Sequence, residues 1–102
     1  MEIPSISDAE YRLCLFVWKR ESVFSGELVK LCAEAYGWAR STTHTLIRRL
    51  MDRGVLHNKN GTVTALISKD AAQDAALSEI FERRFDSDTE ELLASLVRLG
   101  LI

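Results

Sequence analysis

The sequence predicts a mainly α fold in which two helices joined by a tight turn are followed by a short β-hairpin and two more helices. Apolar residues recur at the three- and four-residue spacing of an amphipathic helix in five separate stretches. Tyr36-Gly37 falls between the second and third of these, where glycine can take the left-handed conformation that ends a helix. Asn60-Gly61 lies between two short apolar runs, and Asn-Gly in that setting is the strongest local signal for a hairpin.

Ser7-Asp8-Ala9-Glu10 reads as a capping box, so the first helix starts there and carries Ala9, Leu13, Cys14, Phe16 and Val17 inward. Trp18 closes it before Lys19-Arg20-Glu21. Val23 and Phe24 suggest a brief strand, with Ser25 as N-cap of the second helix, whose apolar positions are Leu28, Val29, Leu31, Cys32 and Ala35. The third helix spans 39–53, with Leu46, Ile47, Leu50 and Met51 as its inner stripe, and stops at Arg53-Gly54. Two helices around a glycine-containing turn outline a helix-turn-helix. A hairpin over 57–67 directly after it is a wing, with Lys59 and Asn60 at the tip.

Ser68 and Asp70 start a fourth helix carrying Ala72, Ala76, Leu77, Ile80, Phe81 and Phe85, and Ser87-Asp88-Thr89-Glu90 is a second capping box before Leu92, Leu93, Leu96, Val97 and Leu99. Those helices hold more large apolar side chains than a small winged domain covers. A second copy of the chain is the simplest partner, the alternative being a monomer in which they fold back on the first helix. The expected fold class is therefore mainly α: a winged helix-turn-helix with a short β-hairpin wing and two C-terminal helices for dimerisation. The expected division is residues 1–68 as a winged-helix DNA-binding domain and 69–102 as a C-terminal helical dimerisation segment. The candidate dimer contacts are Leu77, Ile80, Phe81, Phe85, Leu92, Leu93, Leu96 and Val97.

The chain has 102 residues and a formal net charge of -2, a total that hides a segregation. From Trp38 to Lys69 stand Arg40, Arg48, Arg49, Arg53, Lys59 and Lys69 against the single acid Asp52, while acids outnumber bases from Asp70 onward. The third helix presents Ser41, Thr42, His44, Thr45, Arg48 and Arg49 outside its apolar stripe. Hydroxyl, imidazole and guanidinium groups donate to phosphate oxygens and base edges. Arg40 and Ser41 lie in the first turn, where free amides and the helix dipole favour an anion. The expected DNA-contacting set is thus Arg40, Ser41, Thr42, His44, Thr45, Arg48, Arg49, Lys59 and Asn60. Arg53 is a further phosphate candidate, and Arg48 has Asp52 at helical spacing as a competing partner. Trp18, Trp38 and Phe24 sit at element ends, which favours core and staple roles over a base-stacking platform.

Cys14 and Cys32 lie within apolar helical patterns and have no metal-ligand spacing around them, so buried thiols in a reducing cytosol are expected. No catalytic grouping or glycine-rich phosphate loop can be assembled, and the N-terminus lacks the pattern of a signal peptide. The expectation is a cytoplasmic non-enzyme without cofactor, membrane span or evident small-molecule ligand.

The chain resembles the penicillinase-repressor family of the BlaI/MecI/CopY type. Ile6-Ser7-Asp8-Ala9-Glu10 is similar to that family's opening Ile-Ser-x-x-Glu. The likeness is tightest at Thr42-Thr43-His44-Thr45-Leu46-Ile47-Arg48-Arg49-Leu50 and Arg53-Gly54-Val55-Leu56. The resemblance implies a homodimeric repressor on a palindromic operator, with Ser41, Thr42, His44, Thr45 and Arg49 at DNA-contacting positions. Where family members are commonly cleaved at an Asn-Phe bond in the fourth helix, this chain has Ile80-Phe81, and it has no cysteine after Cys32 for a copper site. It ends at Ile102, earlier than typical members, which implies a shortened dimer-forming tail. The alternative function is a winged-helix protein-interaction module that does not bind DNA.

Overall fold

The computed structural model describes residues 3–102. Its elements run α1 (Asp8–Arg20), β1 (Ser22–Phe24), α2 (Ser25–Tyr36), α3 (Arg40–Asp52), β2 (Leu56–Lys59), β3 (Thr62–Ala65), α4 (Lys69–Arg84) and α5 (Thr89–Arg98). The capping box at α1 forms as expected: the Ser7 hydroxyl accepts from the Glu10 amide at 3.2 Å, and the Glu10 carboxylate accepts from the Ser7 amide at 2.8 Å. Ser25, expected to cap α2, is instead its first residue, and Phe24 holds the cap position in extended conformation. The hairpin supplies what a capping side chain would, because the Ser25 amide donates to the Gly61 carbonyl at 2.8 Å. Gly37, at φ 71°, ends α2 as expected.

The sheet has the order β1-β3-β2, both pairings antiparallel, so the strand before α2 borders the hairpin formed after α3. Alternation sends Val23, Val63 and Leu56 into the core and leaves Phe24 65% exposed, which corrects the expected packing role for that ring. Around those residues close Leu13, Cys14 and Val17 of α1, Leu28 and Cys32 of α2, Leu46, Ile47 and Leu50 of α3, and Val55. Ala35 and Met51, expected on inner stripes, are exposed. Trp18 does act as a staple: its indole donates to the Ile67 carbonyl at 3.0 Å, and Tyr11 packs edge-on against it. Trp38 stacks in tilted fashion on Tyr36, whose hydroxyl reaches the Arg12 carbonyl at 3.1 Å.

The two C-terminal helices leave this body rather than wrap it. The radius of gyration is 16.0 Å, against roughly 13 Å for a compact chain of this length. Ser68 caps α4 as expected, its hydroxyl accepting from the Ala71 amide. At α5 the expected capping box does not form, and the cap falls one residue later. Asp86 and Ser87 both take left-handed conformations, and the Asp88 carboxylate accepts from the Glu90 and Glu91 amides. A charged acceptor makes the stronger cap.

The two thiols are buried and free, and burial pushes Cys14 up to about 12, with the nearby Glu10 charge adding to the shift and Arg53 offsetting part of it. Glu10 is 5% exposed and is held in an ion pair by the Arg53 guanidinium, which also donates to the Ser5 carbonyl at 2.8 Å. Burial by itself raises the Glu10 pKa; the bonds from Arg53 and Ser7, with the Arg53 charge, outweigh it and leave the carboxyl below its ordinary value. A lowered folded-state pKa contributes stability that is complete above the unfolded value and is lost as pH falls through the folded one. Glu10→Gln should therefore flatten the acid limb of a urea-midpoint profile, and Arg53→Ala should destabilise the neutral-pH fold by about 2 kcal/mol. An unchanged acid limb in Glu10→Gln would show that the pair contributes nothing to folding.

Candidate nucleic-acid interface

The interface is built on α3, the second helix of the helix-turn-helix. Its inner side is fixed by Thr43, Leu46, Ile47 and Leu50, all buried. At 100° per residue, that choice turns the remaining positions outward. Arg40, Ser41, Thr42, Thr45, Arg48 and Arg49 are exposed, and His44 is half-buried at the margin. The helix runs Arg40–Asp52, with Ala39 and Arg53, the ends of the expected 39–53 span, as its two caps. Ala39 offers no side-chain acceptor and the first turn holds no acid, so this end carries the positive pole of the helix without compensation.

The hairpin forms with a two-residue turn, Asn60 at φ 53° and Gly61 at φ 87°. Two positive angles in succession match the right-handed twist of the flanking strands. The Asn58 side chain accepts from the Gly61 amide at 2.9 Å and stiffens the loop. Lys59 and Asn60 are exposed at its tip, and His57 is an exposed strand residue, as expected.

Among the described residues the ion pairs are Arg20–Glu27, Arg53–Glu10 and Arg83–Glu79, so Arg40, Arg48, Arg49 and Lys59 enter none. The expected Arg48–Asp52 pair is absent. Its acid lies C-terminal to its base, the weaker orientation at this spacing, whereas Glu79–Arg83 has the stronger one and forms at 3.2 Å. Arg53, expected as a phosphate candidate, is committed to Glu10, Ser5 and the Arg49 carbonyl.

Thr43 was absent from the expected polar face, and its position three and four residues before Leu46 and Ile47 explains why it points inward. Its hydroxyl is fully buried without an oxygen or nitrogen partner and faces the Cys32 thiol. Burial raises that thiol's pKa and the Thr43 hydroxyl lowers it in part. An unsatisfied buried hydroxyl costs more than a methyl of the same shape, so Thr43→Val should raise stability by about 1 kcal/mol, read as a higher melting temperature. A lower one would mean that the hydroxyl bonds to the thiol strongly enough to matter.

Between them, α4 and α5 line a groove with Asp74, Leu77, Ser78, Phe81, Thr89 and Leu92. Leu77, Ile80, Leu93 and Val97 are exposed by 46–60%, while Phe81, Phe85, Leu92 and Leu96 are half-buried. Of the large apolar residues expected on these helices, none is buried.

This arrangement has solved counterparts. The solution structure of the DNA-binding domain of the repressor BlaI superposes with a TM-score of 0.62 at 33% identity, covering 70% of this chain and 93% of that one. The Bacillus licheniformis BlaI monomeric form, solved in complex with the blaP half-operator, gives 0.60 at 30% identity, covering 69% of this chain and 90% of that one. In sequence, the penicillinase repressor of Bacillus licheniformis is 36% identical over 63 residues, which are 61% of this chain and 49% of that protein, so the chain spans about half the length of this relative. With the family profile described as penicillinase repressor matching residues 6–100, the chain belongs to the penicillinase repressor family.

Proposed function

We propose that the chain is a DNA-binding transcriptional repressor that acts as a homodimer on a palindromic operator, with α3 in the major groove and the wing on the flanking backbone. The observation that carries this reading is that, among the described residues, Arg40, Arg48, Arg49 and Lys59 on α3 and the wing enter no ion pair, with Arg40 at a helix start that has neither a side-chain cap nor an acid. A relative of the same fold, the BlaI monomeric form, is solved in complex with the blaP half-operator, which supports DNA as the partner. Arg40 and the first-turn amides take a phosphate, with Ser41 beside them. Thr42, Thr45 and His44 face base edges, and Arg48, Arg49, Lys59 and Asn60 grip the backbone on either side. Residues 1–68 are assigned to DNA binding and 69–102 to association, with Leu77, Ile80, Phe81, Phe85, Leu92, Leu93, Leu96 and Val97 meeting their equivalents in a second copy.

Footprinting on DNA upstream of the chain's own gene should reveal two protected half-sites separated by one or more helical turns. Affinity for that duplex should fall steeply with salt, and Arg49→Ala should weaken it while lowering the slope of log K against log salt by about one. Binding without salt dependence, or none at all, would favour a protein-interaction module instead. For association, Leu93→Asp should convert a sedimenting dimer to monomer with its helix content retained. An unpaired carboxylate at such a contact costs several kcal/mol, on the order of a hundredfold or more in dissociation constant. Unchanged sedimentation would remove Leu93 from the contact.

A further inference from the structure

We propose that Phe24 and Lys59, at opposite sides of the outer sheet face, form a second strip of the DNA contact, with the Phe24 ring packed on the sugar edge of the minor groove next to the wing. The inference rests on the DNA-binding reading above and adds a residue from β1, outside both the helix-turn-helix and the hairpin.

The strand register carries it. Directly paired residues point to the same face, and across the sheet Phe24, Thr62 and Lys59 form one row, with Ser22, Thr64 and His57 in the row behind. The opposite face holds Val23, Val63 and Asn58, with both valines buried. With strands roughly 4.8 Å apart, the backbone positions of Phe24 and Lys59 stand about 10 Å from each other at the tip end of the sheet. The bond from the Ser25 amide to the Gly61 carbonyl ties the Phe24 end of β1 to the wing turn, so the ring and the tip move as one piece.

A single exposed ring is ordinary on a protein surface; its neighbours make this one unusual. Neither row contains a carboxylate. The two acids nearest to Phe24 in sequence are each three residues away: Glu27 is paired with Arg20, and Glu21 lies beyond the far end of β1. An apolar ring bordered by a lysine, an imidazole and hydroxyls is complementary to the DNA backbone, where apolar sugar faces alternate with phosphates. Apolar side chains beside cations are a recurrent means of engaging the minor groove.

The test compares the full chain with Phe24→Ala, Phe24→Tyr and Lys59→Ala by fluorescence anisotropy on a random-sequence DNA duplex at several salt concentrations. Phe24→Ala should lose roughly tenfold in affinity with its salt slope unchanged, since the ring carries no charge, and Phe24→Tyr should recover most of the loss. Lys59→Ala should lose affinity with a slope lower by about one. Melting temperatures of the Phe24 variants should match that of the parent, because the ring is exposed; a marked fall would assign the ring a folding role and overturn the proposal. Equal affinity of Phe24→Ala and the parent would sink the strip while leaving DNA binding by α3 standing. Absence of binding by the parent itself would overturn the DNA reading and the strip together.

Discussion

Burial of the inner stripe of α3 is the constraint on which the molecule turns. Leu46, Ile47 and Leu50 are each under a tenth exposed, and full burial of such side chains contributes about 2 kcal/mol apiece. Their sum is comparable to the whole net stability of a small domain, so α3 cannot rotate about its axis without unfolding the body it packs on. The outward polar face is thus a consequence of the core rather than a feature added to it. The Glu10–Arg53 pair fixes the same helix at its far end by tying the start of α1 to the residue that caps α3. Register along the axis and rotation about it are set by different forces acting at different points.

The same pair explains how an acidic chain can carry a cationic face. Net charge of -2 is an average over a molecule whose acids and bases are used unequally. The one arginine at the end of α3 that meets a buried acid is consumed by it, whereas Arg40, Arg48 and Arg49 enter no ion pair among the described residues and are exposed. Eight of the fifteen acids lie from Asp70 onward, on α4, α5 and the turn between them, rather than on α3 or the wing. Long-range attraction for a polyanion depends on this local arrangement.

Much of the fold was legible because several signals coincided at each boundary. Ser7 and Glu10 marked a helix start, Gly37 a stop and Asn60-Gly61 a turn, and each is governed by backbone geometry within three or four residues. The exposed set on α3 was legible for the same reason, since helical period alone sorts it. What escaped was settled by partners distant in sequence. Nothing near Arg53 announces that Glu10, 43 positions away, will claim it. The pairing of β1 with β3 likewise joins residues separated by the whole helix-turn-helix, so the outward turn of Phe24 is plain only once Val23 is known to point inward. The displaced cap at α5 is subtler: both Ser87 and Asp88 are good caps, and the two left-handed residues before the helix decide between them.

The uncovered apolar residues of α4 and α5 bear on the DNA face as well. Half-exposed leucine, isoleucine and valine side chains on consecutive helices forgo part of the burial that holds short helices together in water. A second copy laid on them would restore that burial and would also fix two recognition helices at a set separation. One recognition helix and one wing make a limited number of phosphate and base contacts. In such a dimer, once the first were seated, the second would meet its half-site at a local concentration set by the connecting protein, and the affinities would combine without any new contact. The rigidity of that connection therefore matters as much as its strength. The indole bond from Trp18 to the Ile67 carbonyl fixes the chain to α1 just before α4 begins, so the direction in which α4 leaves the body is set by the core.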